Sequence, residues 1–276
     1  MNIDLHCHST VSDGLLHPDE IARLAHQKGV DVWALTDHDE LDGLPLARET
    51  AQSLGMRFIN GVEISVTWAN KTIHIVGLQI DPNNQQLQDG LERTRSGRDR
   101  RGQEISSQLA VHGIPDAFEG ALKFVGNKDL ISRSHFARYI VETGVCKDVK
   151  EVFTRYLVEG KPGYVPHAWA KLSDAVQWIC AAGGVAVIAH PGRYALDQIQ
   201  LAAFIDEFKQ AGGTGIEVIT GSHSPAEYRV YAEVAKKYQL YASRGSDYHG
   251  PGESEAELGA LPNLPTALTP VWHDWF

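Results

Sequence analysis

The chain has 276 residues, of which 43% are hydrophobic and 22% charged, and its formal net charge is −10 with histidine neutral. This balance is typical of a globular protein and excludes a fibrous or fully disordered chain. An acidic protein does not attract nucleic acid through its overall field, although residues 86–165, with 13 basic and 11 acidic side chains, are locally basic.

Three cysteines are scattered along the chain at Cys7, Cys146 and Cys180, which is too few for a disulfide framework. The N-terminal residues lack the basic and apolar pattern of a signal peptide. No run of about 18 apolar residues predicts a membrane-spanning helix. We therefore expect a cytoplasmic protein that needs neither a membrane nor an obligate protein partner.

The first part of the chain alternates short apolar strands with amphipathic helices. Pro18 at a first helical position, followed by Asp19 and Glu20, marks the start of one helix, and Gly55 ends the next. The two strands that follow are joined by a short turn. The predicted strands are 3–8, 30–36, 57–67 and 72–79, and the predicted helices are 18–28 and 44–54.

Residues 83–168 interrupt this alternation. They contain polar helical stretches at 87–112, 134–142 and 150–159, and no strand is predicted there. We interpret them as a helical insertion that covers the substrate, within a domain formed by residues 1–82 and 169–276.

Beyond the insertion, alternation resumes and predicts an α/β fold built on a parallel sheet or barrel. The Pro- and Leu-rich tail, residues 259–276, is expected to pack as an irregular cap. The predicted helices are 173–182, 196–211 and 226–238, and the predicted strands are 184–189, 215–220 and 240–246.

Histidine and acidic residues lie on six of these strands, mostly at C-terminal ends, where α/β barrels build their sites. His6 and His8 can hold one cation together because residues i and i+2 of a strand face the same side. Asp4, on the same predicted face, could orient an imidazole. The full set is His6, His8, Asp13, His38, Glu63, His74, His190, Asp247 and His249.

A single histidine is more often a satisfied core or surface residue, but this set would be costly at the ends of apolar strands unless it bound something. Imidazole and carboxylate ligands without thiolate suit Zn²⁺, Mn²⁺ or Fe²⁺. The set is too large for one ion, so we expect two or three ions bridged by a carboxylate such as Glu63 and by hydroxide. Such a cluster lowers the pKa of bound water and stabilises phosphoryl transfer.

At these residues the chain resembles the polymerase-and-histidinol-phosphatase (PHP) family of phosphoesterases. The resemblance implies a distorted (β/α)₇ barrel and three divalent ions, with Mn²⁺ as first choice and Zn²⁺ or Fe²⁺ as alternatives. The matching segments are Asp4-Leu5-His6-Cys7-His8-Ser9 with Asp13-Gly14, Thr36-Asp37-His38, Glu63, His74, Ala189-His190-Pro191 and Ser246-Asp247-Tyr248-His249.

The resemblance also implies a division of the ligands among the ions. The first ion and the attacking hydroxide would be held by His6, His8, Glu63 and Asp247. The second ion would be held by Asp13, His38 and His249, and the third by His74 and His190 with Glu63 bridging.

The insertion resembles the branch of this family that contains 3′,5′-nucleoside bisphosphate phosphatases and small 5′-3′ exoribonucleases, through residues 132–138 and 156–166. We predict an anion site at Arg133, Ser134 and His135, with Ser134 as a helix N-cap. The alternative is an ordinary cap with solvated neighbours. Further candidates for substrate contact are Lys161, Tyr164 and Arg193, although Tyr164 could instead be a hinge packing residue.

An arginine-rich stretch precedes this region, interleaved with acidic residues at helical spacing. We interpret it as a solvated, ion-paired helix face rather than as a nucleic-acid patch. Its members are Arg93, Arg95, Arg98, Arg100 and Arg101.

The leading functional hypothesis is metal-dependent hydrolysis of a phosphate from a nucleoside 3′,5′-bisphosphate such as pAp. The first alternative is a 5′-3′ exonuclease on short 5′-phosphorylated RNA, which the arginine-rich stretch would favour. The second is a metal-binding or regulatory module without catalysis, which predicts lost ligands.

Overall fold

Seven strands form a nearly closed barrel in the computed structural model, which describes residues 1–276. The strand order is β1-β2-β3-β4-β6-β7-β8, and a short strand, β5, pairs with the end of β3. The predicted distorted barrel is therefore confirmed. The strands are β1 Ile3–Asp4, β2 Val32–Leu35, β3 Arg57–Trp68, β4 Lys71–Leu78, β5 Ala170–Lys171, β6 Val185–Ile188, β7 Gly215–Thr220 and β8 Tyr241–Gly245.

The barrel closes where the chain beyond β8 meets the chain beyond β1. The Asp247 amide donates to the His6 carbonyl at 2.8 Å, and the His8 amide donates to the Tyr248 carbonyl at 2.9 Å. Gly245 permits this approach, because a Cβ at its position would collide with the Cβ of His6. Closure thus brings two of the predicted ligand pairs side by side.

One strand breaks the parallel arrangement. β4 is antiparallel to both of its neighbours, β3 and β6. The reason is the two-residue turn at Ala69 and Asn70, whose φ angles of 46° and 62° are those of a tight hairpin. The remaining strand pairs around the barrel are parallel, as the strand–helix alternation predicts.

Helices surround the barrel and also form the segment between β4 and β5. Apolar side chains such as Leu5, Val76 and Val187 fill the barrel interior, and a larger cluster lies between strands and outer helices. The helices are α1 Pro18–Gln27, α2 Leu44–Ser53, α3 Gln85–Arg95, α4 Arg98–Val111, α5 Ala117–Leu122, α6 Arg133–Glu142, α7 Val149–Val152, α8 Leu172–Ala181, α9 Gln198–Gln210 and α10 Pro225–Tyr238.

The segment between β4 and β5 is helical and has a hydrophobic cluster of its own, which includes Ile105, Phe136 and Leu157. The single helix predicted at 87–112 is wrong: α3 and α4 are separate, because the chain turns at Gly97, whose φ is 91°. α7 continues into a π-helical turn over Phe153–Leu157.

The N-cap predicted at Ser134 is also wrong. Ser132 has the extended backbone of a cap, and its amide donates to Nδ1 of His135, the third helical residue, at 3.0 Å, so α6 begins at Arg133.

The C-terminal tail packs against the N-terminal end of the barrel, opposite the predicted ligands. The Ala242 amide of β8 donates to the Thr269 carbonyl and the Val271 amide donates to the Ala242 carbonyl, both at 2.9 Å. Val271 joins the cluster inside the barrel. The tail is therefore an irregular cap, as predicted.

Candidate functional site

All nine predicted ligands converge at one mouth of the barrel. His6 and His8 follow β1, His38 follows β2, and Asp13 lies on the loop after His8. The other five come from β3, β4 and the ends of β6 and β8. These residues form four overlapping groups, and within each group the potential ligand atoms lie within 4.8 Å of one another. The groups are His8, Asp13, His38 and His249; His6, His190 and Asp247; His6, His8 and Glu63; and His38, Glu63 and His74.

Glu63 stands at the centre of this cluster, fully buried in β3. Its Oε1 lies 2.9 Å from His190 Nε2 and 3.0 Å from His74 Nδ1. Its Oε2 lies 2.9 Å from His38 Nδ1 and 3.3 Å from His8 Nε2. Both oxygens therefore face imidazole nitrogens, which is the arrangement of a bridging carboxylate.

Two aspartates complete the cluster on either side of Glu63. Asp13 Oδ1 lies 3.4 Å from His249 Nε2 and 3.7 Å from His38 Nε2. Asp247 Oδ1 lies 3.3 Å from His8 Nε2 and 3.5 Å from His6 Nε2. Ligand atoms bound about 2.0–2.2 Å from one ion are themselves separated by roughly 3–3.5 Å, so these spacings fit a metal centre.

Hydrogen bonding leaves part of this cluster unsatisfied. The buried atoms without a hydrogen-bond partner include His8 Nδ1, Asp13 Oδ1, His38 Nδ1, Glu63 Oε2 and Asp247 Oδ1. His38 Nδ1 and Glu63 Oε2 are close to each other but are not aligned as donor and acceptor. Buried polar atoms without partners are costly in a folded protein. Divalent cations would satisfy them, and the mixture of imidazole and carboxylate suits Mn²⁺, Zn²⁺ or Fe²⁺.

The charges of the cluster favour ionised carboxylates. Burial works to raise the pKa of Glu63, but the imidazoles of His74 and His6 hold that pKa well below its usual range. The pKa of Asp13 is held low against burial in the same way by His38 and His249. Burial and the nearby Arg193 lower the pKa of His190 to about 4, so this imidazole is neutral at pH 7 and can donate a lone pair to a cation.

Glu217, in the middle of β7, contacts two of the candidate ligands and was not predicted from the sequence. Its Oε1 lies 2.7 Å from His6 Nδ1, and its Oε2 accepts a hydrogen bond of 2.6 Å from the His190 amide. Glu217 therefore orients His6, with Nε2 directed at the cluster. The available signal was a single acid inside the apolar run 215–220.

Asp4 does not have the role predicted for it. The strand alternation breaks between Leu5, which points into the barrel, and His6. Asp4 consequently faces away from the imidazoles. Its carboxylate accepts hydrogen bonds from the backbone amides of Ser246 at 2.8 Å and Gly259 at 3.0 Å.

The backbone is strained where it presents the ligands. His190 and Asp247 have positive φ angles of 24° and 55°, and Asp39, next to His38, has 53°. Asp37 stabilises the loop that carries Asp13, because its carboxylate accepts hydrogen bonds of 2.7 Å from both the amide and the hydroxyl of Ser9.

The predicted substrate residues fall into three groups. Arg133, Ser134 and Arg193 line the cleft above the cluster; Ser134 Oγ donates to Asp13 Oδ2 at 3.0 Å, and Arg193 Nη1 lies 2.9 Å from Asp247 Oδ2. His135 is completely buried behind the cleft, and its Nδ1 accepts the Ser132 amide at 3.0 Å. Lys161 and Tyr164 lie on the loop after α7 and its π-helical turn, and neither lines the cleft. Lys161 is exposed and Tyr164 is half-buried.

The arginine-rich stretch is not uniformly solvated, which corrects the sequence interpretation. Arg98 and Arg101 are buried, and both line the cleft. Arg98 forms an ion pair with Asp39 and lies over the ring of Trp169. Arg100, between them, is exposed. Spacing of three residues along one helix was the signal that these two arginines share a face.

The cleft has a volume of about 910 Å³. Its lining is polar except for a strip formed by Val149, Phe153 and Val158, together with Trp169. This volume lies in the range of small-molecule sites. No helix in the structure has the length and apolar character needed to cross a membrane.

An α/β barrel with a histidine- and carboxylate-rich cluster at one mouth defines the class of metal-dependent hydrolytic proteins. The PHP domain model matches residues 4–220, and the chain belongs to the PHP family. The predicted resemblance is thereby confirmed.

Individual relatives narrow this comparison. The chain is 47% identical over 273 residues to a 3′,5′-nucleoside bisphosphate phosphatase of Chromobacterium violaceum, covering 99% of this chain and 96% of that protein. It is 39% identical over 269 residues to a 5′-3′ exoribonuclease of Haemophilus influenzae, covering 98% and 97%. A solved structure of an amidohydrolase from Chromobacterium violaceum superposes with a TM-score of 0.96 at 47% identity, covering 99% of this chain and 95% of that one.

Proposed function

We propose that this protein is a phosphoric monoester hydrolase that removes one phosphate from a nucleoside 3′,5′-bisphosphate, such as pAp, to give a mononucleotide. The observation that carries the proposal is the cleft, in which a candidate metal cluster and buried arginines face the same space. The relative from Chromobacterium violaceum, similar along almost its whole length, bears the name of this activity.

The metal ligands we propose are the nine converging residues, holding three divalent ions, with Mn²⁺ as first choice and Zn²⁺ or Fe²⁺ as alternatives. Such ions, when bound, supply an activated water molecule and neutralise charge developing on the phosphoryl group. Glu63 positions its two oxygens between the imidazoles, and Glu217 holds His6 in one orientation. Asp37 keeps the loop of Asp13 in place.

The substrate side of the cleft is formed mainly by the helical segment, which we propose to be an insertion over residues 83–168 that covers the substrate. Arg133 and Ser134 at the start of α6 would contact a phosphate, and Arg193 would contact the phosphoryl group next to the metal cluster. The apolar strip of Val149 and Phe153 offers a surface for the nucleoside. Lys161 and Tyr164 would contribute from the loop after α7.

A second candidate activity is 5′-3′ hydrolysis of short 5′-phosphorylated RNA, supported by the relative from Haemophilus influenzae. It needs space for a following nucleotide along the cleft. The non-catalytic alternative predicts lost ligands, whereas all nine are present and face one another. We also propose a cytoplasmic location, since all three cysteines are free thiols.

One assay separates these possibilities. The purified protein with Mn²⁺ is offered a 3′,5′-bisphosphonucleoside, a 5′-mononucleotide, histidinol phosphate and a 5′-phosphorylated oligoribonucleotide. Phosphate release from the bisphosphate alone is the expected result. Stepwise release of mononucleotides from the RNA would favour the exonuclease, and no turnover of any substrate with metal bound would refute both.

A further inference from the structure

We propose that Arg101 and Arg133 together bind the phosphate group that is not hydrolysed, and that Arg101 determines specificity for substrates carrying two phosphates. This inference rests on the proposed function and adds Arg101 to the phosphate contact proposed there for Arg133. Arg101 lies in α4 and Arg133 begins α6, so two separate helices contribute an arginine to the lining of the cleft.

Arg101 is buried and Arg133 half-buried, and neither guanidinium group has an acidic partner. Neither forms an ion pair with a carboxylate; Arg101 Nε donates to the Val165 carbonyl at 3.0 Å, and Arg133 Nη1 donates to the Leu157 carbonyl at 3.1 Å. These are the hydrogen bonds of their guanidinium groups, which leave most of the N–H donors free. A buried charge in a protein is normally paired, so Arg101 lacks an anion, and Arg133 lines the same cleft without one.

Other buried arginines of the same segment show the contrast. Arg98 is paired with Asp39, and Arg138 donates to both oxygens of Glu253, at 2.9 and 2.8 Å. Among the four arginines that line the cleft, Arg98 and Arg193 are paired with aspartates, whereas Arg101 and Arg133 have no carboxylate partner and keep their charges available for a ligand.

Electrostatics agrees with this geometry. Burial, together with Arg133 and Arg98, lowers the pKa of Arg101 to about 9. Burial also lowers the pKa of Arg133, partly offset by Tyr164 and Asp13. The positive charges thus repel one another in the free protein, and a doubly charged phosphate would relieve that repulsion.

Neighbouring contacts set the position and planarity of the site. The Trp169 ring lies 5.2 Å from the Arg101 guanidinium and supports its plane. Ser134, next to Arg133, is hydrogen-bonded to Asp13 of the metal cluster. Arg101 and Arg133 are therefore held at a fixed place relative to the candidate metal cluster. Their planar guanidinium groups can each donate two parallel hydrogen bonds to the oxygens of a phosphate monoester.

The test compares Arg101→Gln with Arg100→Gln, a matched control on the exposed face of α4. Adenosine 3′,5′-bisphosphate serves as the substrate with two phosphates, and p-nitrophenyl phosphate as the substrate with one. We expect Arg101→Gln to raise KM for the bisphosphate roughly 30- to 1,000-fold, the effect of losing one partner of a buried charge contact. For p-nitrophenyl phosphate the change should stay below about threefold, because the metal cluster is intact.

The result that overturns the inference is an equal loss on both substrates, or no change on the bisphosphate. If the wild-type protein hydrolyses neither substrate, the proposed function fails instead. Arg101→Lys keeps the positive charge but cannot form the paired hydrogen bonds of a guanidinium group. It should therefore be more active on the bisphosphate than Arg101→Gln and less active than the wild type.

A binding measurement tests the site independently of turnover. Inorganic phosphate should raise the midpoint of thermal unfolding more for the wild type than for Arg101→Gln, because a ligand that binds the folded state stabilises it. The ligand-free variant should unfold at about the same midpoint as the wild type, since the repulsive charge that it loses offsets the lost hydrogen bond to the Val165 carbonyl. An earlier midpoint with an unchanged phosphate response would mean that Arg101 has only a structural role.

Discussion

Replacing Glu217 by Gln is expected to weaken metal binding without unfolding the protein. Glu217 accepts two short hydrogen bonds, from His6 Nδ1 at 2.7 Å and from the His190 amide at 2.6 Å. Both donors need an acceptor, and the carboxylate supplies two. A carboxamide supplies one oxygen and turns an N–H group toward the other donor, so one ligand residue must shift.

The magnitude follows from the nature of these contacts. Bonds of this length to a buried carboxylate are charge-assisted, and such partners of metal ligands typically contribute a factor of about 10 to 100 in metal affinity. This corresponds to roughly 1.4–2.7 kcal/mol. The fold should persist, because a glutamine side chain occupies nearly the same volume within β7 as the side chain of Glu217.

The assay is a titration of the metal-free protein with Mn²⁺, followed by calorimetry and by activity as a function of Mn²⁺ concentration. Glu233→Gln, at an exposed position of α10, is the control. We expect the Glu217→Gln variant to need 10- to 100-fold more Mn²⁺, with activity partly restored at high concentration. Equal Mn²⁺ affinity in Glu217→Gln and wild type would refute the proposed orienting role.

Three further predictions concern stability. Chelation should lower the midpoint of thermal unfolding and Mn²⁺ should restore it, because buried carboxylate oxygens of Glu63 and Asp247 are then left without a partner. An unchanged midpoint in scanning fluorimetry would argue against a metal centre. Burial lowers the pKa of His135 to about 4, so between about pH 6.5 and pH 4 the unfolded state binds more protons than the folded state. The free energy of unfolding should therefore fall by on the order of 3 kcal/mol as the pH drops from about 6.5 toward 4. Urea unfolding of His135→Gln should show a shallower pH dependence than the wild type, and an identical slope would contradict this. Arg98→Met should cost about 3–5 kcal/mol in urea unfolding because Asp39 is left buried without its charged partner, whereas Arg100→Met, at an exposed position, should cost little. Similar losses in both variants would show that the ion pair is not responsible.

Prediction from sequence succeeded where the signal was local. The alternation of strands and helices is a property of consecutive residues, and it predicted the barrel and the helical segment between β4 and β5. Eight of the nine histidine and acidic residues could be selected because they lie on or next to an apolar strand, where such a residue is unexpected, and Asp13 because it follows His8 in the next loop.

Prediction failed where the answer depended on neighbours distant in the chain. α4 has the composition of a solvated helix, yet Arg98 and Arg101 are buried because β3, Trp169 and the segment around Val165 pack against them. Asp4 was misassigned because strict alternation was assumed through Leu5 and His6, where barrel closure breaks it.

The sequence by itself thus determined the fold class and which chemical groups stand at the strand ends, since both follow from residue type and spacing along the chain. Only the tertiary structure decided which groups act together: Glu63 at the centre, Glu217 behind His6, and Arg101 with Arg133 in the lining of one cleft. The physical reason is that burial and charge act through space, and a closed barrel brings together residues that lie more than a hundred positions apart.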